Sequence, residues 1–324
     1  MTKLIKHEGQ HMSTAHSEEN FDVDTILRIY EHLRPVMPEM PVGVGARARR
    51  LRDVLDQFDA LFLDGFGVLN IGPDAITGAL ELLNMAQERQ LPVLVVTNSA
   101  TQNETSICNK YSAIGLPIIP SQVVSSRAAL THWLTHKRPK TWQCIGVVDS
   151  MAADIEVEGL IQHRLHYDDR GPWQECDAIA VMGATQWNKD WHDALAETAA
   201  KHCPVLIANP DVGAPHPDRY SREPGYLAWR LIEENHASVQ WFGKPHQTHF
   251  ELALQRLEET YHHPISNKKR IAMVGDSLHT DILGGAAAGL STVLITSHGL
   301  FRDGGADAAI AASGIVPDLI VETV

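Results

Sequence analysis

Four short apolar runs in this chain each stop at a residue able to do chemistry. Asp64 follows Leu61-Phe62-Leu63, Thr97 and Asn98 follow Val93-Leu94-Val95-Val96, Lys244 follows the run from Val239 to Gly243, and Asp276 follows Ile271 to Gly275. Such runs are too short for helices and read as strands buried on both faces, which belong in a parallel sheet. In an open α/β sheet, ligands sit beyond the carboxyl ends of the strands. Asp64-Gly65 is also ordinary turn chemistry; what argues for a site is the set of four ends. Asp64 and Asp276 can converge on one magnesium ion, which prefers oxygen ligands and keeps waters and a substrate phosphate oxygen. Asp281, with Ser277, lies just after Asp276 and can orient it or a bound water. Thr97 and the loop amides from Asn98 onward offer neutral donors to phosphate oxygens, and Lys244 offers a compact positive charge. The chemistry these residues describe is phosphoryl transfer.

Holding such ends together takes an alternating α/β chain. Helices are expected at Asp24–Tyr30, Ala46–Leu55, from Ile76 through Leu80 and Leu83, and at 104–114 and 127–136, with a short strand at 122–125. From the basic, proline-bearing stretch Lys137–Lys140 the pattern restarts. Strands at 144–148, 178–182 and 205–208 and helices at 152–160, 190–202 and 226–234 make a second, smaller α/β domain, after which Val239–Phe242 is expected to return to the first sheet. A helix with Phe250, Leu254, Leu257 and Tyr261 on one face, a strand at 271–274, a small-residue helix at 281–288 and a strand at 292–296 close the core. The expected organisation is a loose tail over 1–22, the first part of a Rossmann-like, doubly wound parallel-sheet α/β core over 23–137, an inserted α/β domain over 138–238, and the rest of the core over 239–324.

Composition sets limits on function. The 324 residues are 44% hydrophobic and 6% aromatic, ordinary for a globular enzyme or binding protein. Forty acidic against 27 basic residues give a net charge of −13, which argues against a general nucleic-acid binder and requires a local positive site for any anionic substrate. Four scattered cysteines suggest neither a disulfide framework nor a zinc knuckle, no run is long enough to span a membrane, and the N-terminus lacks a secretory apolar core. A cytoplasmic protein is expected, with no nucleic-acid or membrane partner and a homodimer left open. His7-Glu8-Gly9-Gln10-His11 has the letters of the zinc-protease helix motif, but an internal glycine and no apolar face make it a chance match. Of the other histidines, His279 and His298 lie nearest the expected site. Trp187 and Trp191 read as packing residues, and Ser125 and Ser126 as helix caps or substrate contacts.

Asp64-Gly65-Phe66-Gly67-Val68-Leu69, Val96-Thr97-Asn98, Gly243-Lys244-Pro245 and Gly275-Asp276-Ser277 with Asp281 resemble, in order, the four motifs of the haloacid dehalogenase superfamily. The insertion, with Asn209-Pro210-Asp211 after a strand, resembles the cap of its class IIA sugar and nucleotide phosphatases. The resemblance implies that Asp64 is the nucleophile and forms an aspartyl-phosphate, Thr97 and Asn98 hold the phosphoryl group, and Lys244 neutralises charge. It also implies that Asp64, Asp276 and the backbone carbonyl of Phe66 bind Mg2+, and that the cap loop from Asn209 to Arg222 reads the leaving group, with Asp211, Arg219 and Arg222 as contacts. One position departs from the pattern. Phosphatases of this kind carry a second aspartate two residues after the nucleophile, which protonates the leaving group and then activates water; here that position is Phe66. General acid–base help is worth about 10² to 10⁴ in rate. The expected function is a Mg-dependent phosphatase of a small phosphorylated metabolite, slow or limited to good leaving groups. The alternatives are a phosphometabolite-binding regulatory protein on the same fold and a carbon–halogen hydrolase, which would dispense with Asp276 and magnesium.

Overall fold

The structure, a computed structural model, describes residues 21–149, 155–216, 219–234, 238–262, 264 and 266–324. The His7–His11 motif and nearly all of the expected tail lie outside the described residues, as does His263. In chain order the main strands are β1 (Ala46–Arg50), β2 (Ala60–Leu63), β3 (Val93–Thr97), β4 (Val123–Ser125), β5 (Cys144–Val148), β6 (Ile161–Arg164), β7 (Ala178–Val181), β8 (Val205–Ile207), β9 (Val239–Trp241), β10 (Ile271–Gly275), β11 (Ser291–Ile295) and β12 (Leu319–Thr323). The principal helices are α1 (Val23–Leu33), α2 (Ala79–Glu88), α3 (Glu104–Ala113), α4 (Ser126–His136), α5 (Lys189–Ala200), α6 (Pro224–Glu233) and α7 (Gln247–Tyr261).

Two parallel sheets organise these elements. The larger has seven strands in the order β1-β12-β11-β10-β2-β3-β4, the smaller five in the order β9-β8-β7-β5-β6. All four residues of β2 and all five of β10 are buried, as strands covered by helices on both faces must be. Their register, Leu63 opposite Val274, puts Asp64 and Asp276 at neighbouring strand ends. On the other side Leu63 lies opposite Val95, which brings Thr97 to the same rim.

Several expectations fail for identifiable reasons. Ala46–Arg50 is an edge strand paired to Leu319–Thr323, followed by 3-10 turns over Leu51–Gln57, and not a helix; the pairing joins segments far apart in the sequence and leaves no local trace. Val239–Trp241 pairs with β8 in the smaller sheet, so the insertion ends after Trp241 rather than at 238. Residues 155–160 are not helical, with 152–154 outside the described residues, and the strand that follows them, Ile161–Arg164, was not expected. Helix α2 starts at Ala79 and buries Leu82 and Leu83, leaving Leu80 exposed and Ile76 in the preceding turn. The small-residue segment is a π-type turn over Leu278–Ile282 that runs into a short helix, Leu283–Ala287. Two residues assigned to the tail are part of the fold: Phe21 packs edge-on against Tyr226, and Asp22 caps α1 by accepting from the Thr25 amide. The four cysteines are free, though the Cys144 and Cys176 sulfurs lie 3.8 Å apart. Among the described residues no helix is long and apolar enough to cross a membrane.

Candidate active site

The carboxyl ends of β2 and β10, with the loop after β9, bring Asp64, Asp276, Asp281 and Lys244 into one cluster. Lys244 Nζ lies 2.8 Å from Asp64 Oδ1 and 2.7 Å from Asp281 Oδ1, and its side chain is 1% exposed. One oxygen from each of the three carboxylates falls within 4.8 Å of the others. Asp276 is held by the Leu300 amide, which donates to its Oδ2 at 2.9 Å, and Asp281 by the Ser277 amide, which donates to its Oδ2 at 3.1 Å. Asp64 Oδ1 also accepts from the Gly65 amide at 2.7 Å.

Room for this cluster depends on glycine. Gly67 (φ +78°) and Gly299 (φ +67°) sit in left-handed backbone regions that side chains rarely adopt. A Cβ on Gly67 would lie 2.6 Å from Asp276 Cγ, and one on Gly299 would overlap Asp276 Oδ2. The backbone therefore closes around the Asp276 carboxyl from two loops.

The electrostatics are those of a site short of positive charge. Burial, then repulsion from Asp281 and Asp64, holds the Asp276 carboxyl well above the ordinary range. Burial pushes Asp281 up to about 7 in spite of Lys244. Burial would lower Lys244, but Asp281 and Asp64 outweigh it and keep the ammonium charged. One ammonium faces three carboxylates, and the buried donors are all oxygen, a set that fits a hard divalent cation such as Mg2+. Asp281 has both oxygens engaged, by Lys244 and Ser277, so it anchors the lysine behind the cluster. Asp64 Oδ2 and Asp276 Oδ1 accept no hydrogen bond among the described residues and are the oxygens left to face an ion.

Lys244 is fixed through its backbone as well. Asn98 Oδ1 accepts from the Lys244 amide at 2.7 Å, while Asn98 Nδ2 donates to the Lys244 carbonyl at 3.0 Å and to Asp211 Oδ1 at 2.8 Å. Asp211 belongs to the insertion, so Asn98 ties the two units together at the site. Burial pushes the Asp211 carboxyl up to about 7, against the pull of Lys244 and the Asn98 hydrogen bond.

Two family models match this chain: haloacid dehalogenase-like hydrolase over residues 61–159 and HAD-hydrolase-like over residues 241–324. The chain belongs to the haloacid dehalogenase-like hydrolases. Within that superfamily it is similar to NagD-type members. It is 25% identical over 236 residues to the ribonucleotide monophosphatase NagD of Escherichia coli, covering 71% of this chain and 84% of that one. It is 24% identical over 241 residues to an acid sugar phosphatase of Staphylococcus aureus, covering 74% and 86%. A solved structure from Cytophaga hutchinsonii, described as a possible sugar phosphatase of the same superfamily, superposes with a TM-score of 0.74 at 24% identity, covering 86% of this chain and 98% of that one. The parallel-sheet core with flanking helices is that of its haloacid dehalogenase-like structural neighbours, and a separate inserted domain is consistent with it.

The motif residues of a haloacid dehalogenase-like hydrolase are thus together, but several side chains singled out from the sequence are engaged elsewhere. The Asn98 side chain is fully used in the Lys244 and Asp211 bonds, which leaves its backbone amide as the group that can meet a phosphate. Asn209 Oδ1 accepts from the Asp211 amide at 2.9 Å and its Nδ2 donates to Glu223 at 3.2 Å, so Asn209 shapes the loop and presents nothing outward. The Arg222 guanidinium lies over the Phe21 and Tyr226 rings, and Arg219 is exposed. His279 is buried, bonded to Glu31 at 2.6 Å and stacked on Tyr30, and His298 bonds Thr323. Ser125 caps α4, and Trp191 is buried in the core of the insertion with Trp187 stacked on it. Sequence reasoning missed Tyr30. Its hydroxyl accepts from the Val212 amide at 3.1 Å, and burial beside Asp211, Asp281 and Asp276 keeps the phenol protonated. A lone tyrosine in an amphipathic helix carries no signal of such a role.

Proposed function

We propose that this protein is a Mg-dependent phosphatase of a small phosphorylated metabolite, acting through a phosphorylated Asp64 and limited to substrates whose leaving group needs little protonation. The observation that carries the reading is the meeting of Asp64, Asp276 and Lys244 at neighbouring strand ends with Thr97 on the same rim. Asp64 and Asp276 would hold the cation, which when bound neutralises charge on the phosphoryl oxygens. Lys244 holds Asp64 through Oδ1 and so fixes the orientation of the carboxylate at the strand end. In the first step an Asp64 oxygen forms a bond to phosphorus while the bond to the leaving oxygen breaks and its electron pair departs with that oxygen. In the second, water attacks phosphorus, the bond from phosphorus to the Asp64 oxygen breaks with its electron pair left on the carboxylate, and water's proton goes to the phosphate product or to solvent. Thr97 and the Asn98 amide donate to the phosphoryl oxygens. The relatives' activities on sugar and nucleotide phosphates support the reaction class.

Release of phosphate from 4-nitrophenyl phosphate tests the reading. Magnesium should sustain turnover, chelation should stop it, and Asp64→Asn or Asp276→Asn should lower it by at least about 10³-fold in a protein that stays folded. Turnover that survives excess chelator or Asp64→Asn would overturn it.

A further inference from the structure

A cleft of about 740 Å3 opens beside the strand ends, between the loop from Phe66 to Pro73 and helix α3. That volume suits a small-molecule site. Thr97, on the rim where the phosphoryl group is placed, also lines the cleft, so the two spaces are continuous. Phe66, Ile107, Tyr111 and Ala113 make its walls apolar, no carboxylate lines it, and its one cation, Lys110, is exposed. Within this apolar wall Gln102 Oε1 is buried and has no hydrogen-bond partner among the described residues. A buried acceptor left unmet is unfavourable, and a ligand donor would relieve it.

We propose that this cleft receives the leaving group of the substrate, and that the group is a flat aromatic ring carrying a hydrogen-bond donor. The ring lies against Phe66 and Tyr111, where aromatic surfaces pack favourably, and the donor meets Gln102 Oε1. The inference rests on the phosphatase reading and narrows it to aryl phosphates. It gives Phe66 a single explanation. The side chain that cannot donate a proton serves as a wall for a ring, and an aryl oxygen can leave with its electron pair and no proton.

The test compares kcat/KM for 2-naphthyl phosphate with kcat/KM for acetyl phosphate, whose leaving group is too small to reach the cleft. Ala113 is exposed at the end of α3, so Ala113→Trp narrows the cleft with little risk to folding. It should lower the naphthyl-to-acetyl ratio by about tenfold or more. Among ring-hydroxylated naphthyl phosphates at least one isomer should exceed the parent by about tenfold, a preference that Gln102→Leu should erase. No phosphate from either ester with the unaltered protein would overturn the hydrolase reading and the subsite with it. Release from acetyl phosphate, with a ratio that Ala113→Trp leaves unmoved, would overturn the subsite alone.

Discussion

Phe66 decides what kind of catalyst the cluster around Lys244 can be. A phenyl ring moves no proton, so on the proposed reading the step that expels the leaving oxygen depends on that oxygen's own acidity. His279, the nearest alternative acid in the sequence, is bonded to Glu31, stacked on Tyr30, and lowered by burial, so it does not replace the missing carboxyl. Phe66→Asp should therefore raise kcat/KM on alkyl phosphates by up to about 10²-fold, the low end for acid catalysis, since nothing nearby has been shaped to hold the new group. Aryl phosphates should gain little. Equal gains on both, measured in protein shown to be folded, would mean that Asp at this position acts by something other than proton donation.

At the scale of elements, the loops after β3, β8 and β9 are pinned to one another by a single side chain. Asn98 satisfies both backbone groups of Lys244 and reaches Asp211 across the boundary between the two units. Asn98→Ala would leave the buried Lys244 amide unmet, which costs about 1–3 kcal/mol. The denaturation midpoint should drop accordingly and kcat/KM should fall with it; a variant as stable and active as the parent would show that the bridge is idle. Strands β2, β3 and β10 were legible because burial on both faces leaves an unbroken apolar run, and the site was legible because each run ends on a reactive group. Strand β1 was not, because Ala and Arg are strong helix formers and the strand that pairs with it, β12, lies far away in the sequence. Val239–Trp241 shows a different limit: three residues declare a strand but not which sheet it joins. Side-chain roles were the least legible, since Asn98, Asn209 and Arg222 have partners that only the fold supplies.

Taken as a whole, the molecule carries a strong negative charge and concentrates some of it in a buried site, which makes its stability depend on pH and cation together. Burial pushes Asp281 and Asp211 up to about 7 and raises Asp276 as well, all above the usual carboxylate value near 4. The folded protein thus binds more protons at these groups than the unfolded chain, and the stability they contribute is lost as pH rises through 7. Buried His249, lowered to about 3, and His246, lowered to about 4, with His279 and His298 also lowered, act in the opposite direction; each returns at most about 0.4 kcal/mol between pH 6.5 and pH 8, less than a raised carboxyl loses, so that interval shows the net loss. Chelated protein should lose about 1 kcal/mol per raised carboxyl across that interval, seen as a fall in Tm of a few degrees. Magnesium should recover most of the loss at pH 8, because a cation replaces the protons at the cluster. A Tm that is flat across the interval and indifferent to magnesium would contradict this.

Phe66 also bears on the second half of the reaction, where the absent carboxyl would have activated water. With an aryl phosphate the first step needs no acid while the second lacks its base, so phosphorylated Asp64 should accumulate. Mixing the protein with magnesium and 32P-labelled aryl phosphate, quenching in acid and mapping the labelled peptide measures this directly. The account predicts a burst approaching one labelled site per chain, located on the peptide that contains Asp64 and absent from Asp64→Asn. Steady release of phosphate with no burst and no labelled protein would contradict it.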